Sequence, residues 1–352
     1  MHIDSKMEGG NIQVLSIEEN RATLAVELRD TTTDWFYWGF RVVGGAGRTV
    51  TFTFEDGQRV GYWGAAVSHD QIHWAWTNTA SDDYKSFTYT FGPDENEVFF
   101  NHNMRYSTAQ FASLCTELGL EIKTLTVSER GRPIPYVEFG DGDKIMLFTS
   151  RHHACESTGT YLMEGVLRTL VGHVPEGFKV VAVPFVDMDG VVDGDQGKNR
   201  APHDQNRDYI DEPLYACVRA LKKLAEGEKV ISAIDLHSPW HFGGRHDVVH
   251  IVRKDTMTPQ QIEFGRLLMA RNQQHPDALR YDTANDLPWG EEWNTGTMSI
   301  SFSSWYALQP GVKLALSLET AYFGEKDNVV SQPKLIELGA CVAEAACDYL
   351  KN

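Results

Sequence analysis

The sequence predicts an N-terminal antiparallel β-sandwich over residues 1–120, followed by an α/β domain over residues 121–352. The second part is read as a mixed, mostly parallel sheet with helices on both faces. Three observations carry this reading. Short bursts of alternating apolar and polar residues, many of them aromatic, fill the first 100 positions and are separated by turn residues. That pattern is the mark of a sandwich. From Lys144 onward, continuous apolar runs alternate with stretches of helical periodicity, as in sheets buried on both faces. The 352 residues are 42% hydrophobic, enough for a large core in each part.

Taken in order, strands are expected at residues 12–17, 22–28, 35–42, 50–54, 73–76, 86–91 and 97–100. Turns at 19–20, 44–47, 56–57 and 92–94 separate them. The crowded aromatics read as sandwich core. A helix is expected from about residue 105, capped by Ser107 or Thr108. Residues 125–127 and 134–139 read as a hairpin around Glu129-Arg-Gly-Arg132. Apolar strands follow at 144–148, 180–186, 230–236 and 313–318. Helices fall at 160–170, 214–224 and 333–350, the last with an apolar stripe of Leu335, Leu338, Cys341, Val342 and Ala345.

The formal charge of −17 argues against nucleic acid or an anionic membrane as partner. The five cysteines are odd in number and show no CxxC spacing, which predicts reduced thiols and a cytoplasmic location. The first residues lack a basic segment followed by an apolar one, so no signal peptide is expected. No apolar run reaches bilayer length.

The polar residues that carry chemistry stand where buried strands end, the edge at which open α/β sheets build their sites. His153 and Glu156, three apart after the strand at 144–148, are read as sharing one face of the first helical turn and gripping one ion. His237 follows the strand at 230–236 and supplies a third ligand. Two histidines and one glutamate make a zinc set with one position left open. Asp235 is a candidate hydrogen-bond partner for a ligand, provided the strand turns it the right way. Glu319, at the end of the strand at 313–318, is placed to act as general base toward an attacking water. Between the ligands, residues 194–209 form a polar loop rich in asparagine and arginine, suited to an oxyanion or a carboxylate. His152 competes with His153, but its i+3 partner is Cys155 rather than a carboxylate.

The order His153-x-x-Glu156, Lys198-Asn-Arg200, Asn206-Arg207, Asp-Leu-His237-Ser and Glu319 resembles the zinc carboxypeptidases of the carboxypeptidase A-like superfamily. The likeness is greatest to the cytosolic carboxypeptidase branch, which carries an N-terminal β-sandwich. Met7-Glu-Gly-Gly-Asn-Ile12, Trp35-Phe-Tyr-Trp38 and Arg105-Tyr-Ser107 are similar to that branch's N-terminal signatures. Val183-Pro-Phe-Val-Asp-Met-Asp-Gly-Val191 is similar to its Pro-x-x-Asn-Pro-Asp-Gly-Val turn, with Asp187 and Met188 in place of Asn and Pro. The resemblance implies one zinc per chain on His153, Glu156 and His237, with Glu319 as base and proton carrier. It implies Arg200 as oxyanion support, and Asn206 with Arg207 gripping the terminal carboxylate of a peptide or protein substrate. The family's mobile substrate tyrosine matches Tyr306 at best, with Trp293 and Asn294 nearer the expected offset.

The implied activity is hydrolysis of a C-terminal peptide bond, or of an isopeptide-like glutamyl bond. Two other readings share the scaffold: a zinc deacylase of N-acyl amino acids, of the aspartoacylase type, and an inactive zinc-binding interaction protein. The early sandwich argues against the first, because aspartoacylase-type proteins carry their β-domain after the catalytic one. Glu319 and the arginines argue against the second. Side-chain preference is expected to be set within residues 290–304, which supply no cation for an acidic substrate; Lys198, Arg245 and Lys313 are the nearest in sequence.

Overall fold

The computed structural model describes residues 1–227, 229–296 and 300–351. The N-terminal part is two facing sheets. One runs in the order His2–Asp4, Gly39–Val43, Glu97–Asn101, Ala66–Ser68, Ala75–Trp76. The other runs Gln13–Ile17, Arg21–Ala25, Thr49–Phe54, Ser86–Thr90. In Thr49–Phe54 the residues Val50, Phe52 and Phe54 point inward and the threonines between them outward, as a half-buried strand requires. They meet Phe40, Val42, Val98 and Phe100 of the opposite sheet. One pair departs from the antiparallel expectation: Arg21–Ala25 runs parallel to Thr49–Phe54. The chain between them visits the other sheet through Gly39–Val43, and a crossover of that length allows the same direction twice.

The strand expected over residues 35–42 begins only at Gly39. Residues 35–38 are all buried, so they cannot be alternating across one pleat. Trp38 enters the sandwich core, while Trp35 and Phe36 join Tyr322 and Phe323 from the second half. The strand expected over 73–76 is reduced to Ala75–Trp76.

Helix Thr108–Leu118 is capped by Ser107 in a reciprocal box with Gln110 and stops at Gly119, which takes φ +67°. The large sheet then runs Lys123–Val127, Pro133–Phe139, Phe178–Val183, Lys144–Ser150, Val230–His237, Leu314–Glu319, His250–Val252. The four strands from Phe178–Val183 to Leu314–Glu319 are parallel to one another, and the outer pairings are antiparallel. Ile145 and Leu147 face Val218, Leu221 and Phe302, including helices Ala216–Leu224 and Phe302–Tyr306. Met146 and Phe148 face the other way, onto helices Ser157–Leu170, Thr258–Asn272 and Gln332–Lys351. Helices therefore cover both faces, as continuous apolar strands demand. No described helix is long and apolar enough to cross a membrane.

Candidate metal centre and catalytic cavity

Three parallel strands end side by side. Ser150, Leu236 and His237 close two of them, and His237 lies in register with Glu319 on the third. Beyond Ser150 the chain turns sharply: Arg151 takes φ +61°, uncommon for a side chain of this size. Its guanidinium donates to the Ala154 carbonyl at 2.6 Å. His153 and Glu156 lie in this turn, closed by Glu156 N–H to the His153 carbonyl at 3.2 Å. Glu156 occupies the N-cap of helix Ser157–Leu170. The pair is thus brought together by a turn before the helix, where the sequence pointed to a helical face.

His153 Nδ1 is 2.8 Å from Glu156 Oε1, and His237 Nδ1 is 2.7 Å from Glu156 Oε2. The donor atoms of these three residues all lie within 4.8 Å of one another. Two imidazoles and a carboxylate converging on one point fit a zinc ion. The far nitrogens are also held: His153 Nε2 lies 3.5 Å from Asp204 Oδ1, and His237 Nε2 lies 2.5 Å from Asp235 Oδ2. Burial opposes a proton on His237, yet the Asp235 and Glu156 carboxylates raise its pKa well above the usual histidine range. Lys198 places its Nζ 2.5 Å from Glu156 Oε1, so a second positive group meets the same carboxylate.

A second grouping, His152, Asp235 and His237, also lies within metal-ligand range. In it His152 is enclosed, with Nδ1 on Asp235 and Nε2 on the Tyr209 hydroxyl, both at 2.8 Å, and no side of its ring meets the cavity lining. Only the first grouping borders open space. A cavity of about 320 Å³ is lined by His153, Lys198, Asn206, Arg207, Glu319 and the indoles of Trp35, Trp240 and Trp293, among others. Glu319 is 8% exposed, and its Oε2 meets no hydrogen-bonding partner among the described residues. Burial pushes its carboxyl up from the ordinary glutamate range. An unpaired buried carboxylate oxygen is costly unless a ligand or a proton is meant to meet it.

Asn206 accepts from the Phe302 N–H at 2.9 Å and places Nδ2 3.3 Å from His237 Nε2. The Arg207 guanidinium donates to the Asn206 carbonyl at 3.0 Å. Two of the expected site residues lie away from this cluster. Arg200 does not line the cavity; its guanidinium is held by Asp187 at 2.9 Å and by Asp30 and Asp195 at 3.3 and 3.4 Å. Tyr306 is buried on the far side of the sheet and donates to the Leu221 carbonyl at 2.5 Å. It lies in helix Phe302–Tyr306, whose inward face packs on the sheet.

Of the stretch expected to set preference, Trp293 lines the cavity and Asn294 is buried beside it, while residues 297–299 lie outside the described residues. Three features escaped the sequence reading. Trp35 was absorbed into the sandwich core by its aromatic neighbours, yet it walls the cavity. Lys198 was legible as part of a motif centred on Arg200 and as a candidate cation for an acidic substrate, but not as a partner of Glu156. Lys254, just past strand His250–Val252, is 3% exposed with Nζ 3.4 Å from Asn294 Oδ1. Burial lowers its pKa to about 8, the nearby Arg207 adding to that and Glu319 opposing it.

Sheet order and cavity together define a protein with the metallo-carboxypeptidase fold. Its first part matches the family described as the cytosolic carboxypeptidase N-terminal domain, over residues 3–102. The chain superposes on the metallo-carboxypeptidase from Burkholderia cenocepacia with a TM-score of 0.80 at 19% identity, covering 99% of this chain and 98% of that one. It superposes equally on the metallo-carboxypeptidase from Pseudomonas aeruginosa, solved with (2-guanidinoethylmercapto)succinic acid: TM-score 0.80, 19% identity, 100% and 99% covered. Bovine thrombin-activatable fibrinolysis inhibitor matches over 70% of this chain and 98% of its own, with TM-score 0.53 and 16% identity. No curated protein matches the sequence. The likeness in fold therefore extends over the whole chain.

Proposed function

We propose that the protein is a zinc-dependent carboxypeptidase that releases the C-terminal residue of a peptide or protein. The observation that carries this is the convergence of His153, Glu156 and His237 beside a cavity that His153 lines together with Glu319, whose Oε2 meets no partner among the described residues. A zinc ion on the three ligands would supply Lewis acidity toward the scissile carbonyl and its attacking water. Glu319 takes a proton from that water and returns it to the leaving amine, work suited to a carboxyl whose pKa is raised. Asn206 and Arg207 grip the terminal carboxylate, a geometry for which guanidinium is suited. With Arg200 committed to three aspartates, Lys198 takes over support of the oxyanion.

Lys254 extends the reading to the side chain of the leaving residue. A buried ammonium in the neighbourhood of Arg207 and Glu319, 3.4 Å from an amide oxygen and 5.8 Å from the centre of the Trp289 ring, suits a second carboxylate. We therefore place glutamate or aspartate as the preferred C-terminal residue. The other cations considered from sequence are spoken for: Arg245 pairs with Glu292, and Lys313 precedes the opposite end of its strand. Five free cysteines, four of them buried, support a reducing cytoplasm as the working compartment.

The test compares free and amidated C-termini in peptides ending in glutamate, alanine and lysine, with N-acetylaspartate alongside. Cleavage is expected only at free C-termini, fastest for glutamate, and abolished by a chelator. Amidation should slow it by roughly thirtyfold or more, from the loss of about 2–5 kcal/mol of buried charge pairing. Efficient cleavage within a C-terminally blocked peptide, or turnover of N-acetylaspartate alone, refutes the assignment.

A further inference from the structure

We infer that His152 and Tyr209 are positioning residues that act on the metal ligand His237 through Asp235, in a buried chain of hydrogen bonds from tyrosine to ligand. The inference rests on the metal reading of the preceding subsection and concerns residues which that reading leaves unused.

The chain follows from proton bookkeeping. An imidazole that turns the Nδ1 lone pair toward an ion must carry its hydrogen on Nε2. Without an ion His237 faces a carboxylate oxygen from each nitrogen, Nδ1 2.7 Å from Glu156 Oε2 and Nε2 2.5 Å from Asp235 Oδ2, and donates to both; an ion would take the place of the Nδ1 hydrogen and leave Nε2–H on Asp235. The other oxygen of Asp235 accepts from the Thr149 hydroxyl at 2.7 Å and from His152 Nδ1 at 2.8 Å. His152 therefore carries its hydrogen on Nδ1, and Nε2 is an acceptor. The Tyr209 hydroxyl, 2.8 Å away, donates to it. Moving the His152 hydrogen to Nε2 would turn a lone pair on Nδ1 against a carboxylate oxygen, so Asp235 dictates the tautomer. One arrangement satisfies each of these donors.

Geometry fixes the chain as firmly as the protons do. Asp235 and His237 are two apart on strand Val230–His237 and so share a face. Thr149 is the register partner of Asp235 on the neighbouring strand. Phe302 packs against both aromatic members, 5.3 Å from the His152 ring and 5.6 Å from that of Tyr209. All these residues are buried. A carboxylate buried this deeply needs each of its donors to stay a carboxylate in a fixed orientation. His152 is the donor whose loss would leave one Asp235 oxygen served by a hydroxyl alone. A tilted or protonated Asp235 would no longer hold the His237 ring toward Glu156 and His153.

The test measures zinc affinity by chelator competition, with melting of the metal-free protein followed alongside. His152→Leu keeps bulk but removes the donor; its affinity should fall 10- to 100-fold, the usual effect of losing such a partner. His152→Asn offers an amide N–H to Asp235 and should recover most of that loss. Tyr209→Phe should weaken binding in the same direction by a smaller factor. Wild-type affinity in folded His152→Leu overturns the inference. So do equal losses in the Leu and Asn variants, which would mean that only ring packing matters. Should His152→Leu fail to fold, unchanged affinity in Tyr209→Phe overturns it. Wild-type protein that takes up no metal refutes the metal reading and this inference together. Normal uptake with any of the outcomes just named refutes this inference alone.

Discussion

Glu319 differs from Glu156 and Asp235 in that its Oε2 meets no partner among the described residues. Glu156 touches two histidines and Lys198, and Asp235 touches two histidines and a threonine. A carboxylate left with a bare oxygen in a cavity is placed for proton transfer. Glu319→Gln keeps the shape and removes the base, so zinc should stay bound while kcat falls by about 10²- to 10⁴-fold. Metal content and turnover on one preparation check this, and unchanged turnover removes Glu319 from the mechanism. Lys254 makes a separate claim with a pH signature. Burial, reinforced by Arg207, sets its pKa near 8, so its ammonium is present below that pH and lost above it. The preference for glutamate over alanine at the C-terminus should therefore be full at pH 6 and decline as pH rises through about 8. Lys254→Met should flatten that profile and reduce the preference by about thirtyfold. A preference that is independent of pH and survives in the variant excludes the role.

The polar residues were legible in the sequence because chemistry at strand ends leaves a positional trace. His237 and Glu319 follow apolar runs, and the fold puts them in register. The local geometry was less legible. Spacing of three suggested a helical face for His153 and Glu156, whereas a turn through a positive-φ Arg151 delivers the same proximity. Arg200 and Tyr306 could not be placed because their partners, Asp30 and Leu221, are 170 and 85 positions away. Among the elements, helix Ser157–Leu170 matters most, since Glu156 stands at its N-terminus and its far side packs on helix Gln332–Lys351. That contact is close enough that a Cβ on Gly165 would lie 1.9 Å from the Ile336 carbonyl, and one on Gly339 2.1 Å from that of Leu162. Backbone cannot yield as a side-chain tip can. Gly165→Ala should therefore destabilise the protein by at least the 1–3 kcal/mol typical of overpacking, despite alanine's higher helix propensity. Thermal unfolding checks it, and a raised melting temperature contradicts the close packing.

The sandwich was expected as a separate unit, and we propose the boundary near residue 120 as a division of the sequence, with the catalytic cavity built across it. The Asn11 amide donates to the Gly194 carbonyl at 2.7 Å, and the Trp63 and Trp76 indoles donate to the carbonyls of Phe323 and Val330. Gln196 both donates to and accepts from the Tyr37 backbone at 2.8 Å. These contacts press the segment before Gly39 against the loops that carry Lys198 and Trp240. Trp35 packs 4.6 Å from the Trp240 ring and lies under the Lys198 ammonium, 4.9 Å from nitrogen to ring centre. A cation over an indole is held by about 0.5–2 kcal/mol, the upper end when water is excluded. Trp35→Ala should therefore loosen Lys198 and lower kcat/KM by roughly two- to thirtyfold. Zinc affinity should change far less than turnover, because Trp35 reaches the ligand Glu156 only through Lys198 in the contacts described. Trp35→Phe keeps an aromatic face and should fall between the two. Kinetics on all three proteins, with zinc titrated in each, separate the outcomes. Unaltered kcat/KM in Trp35→Ala would confine the sandwich to a structural role, and a parallel loss of zinc would show that it acts through the ligands instead of Lys198.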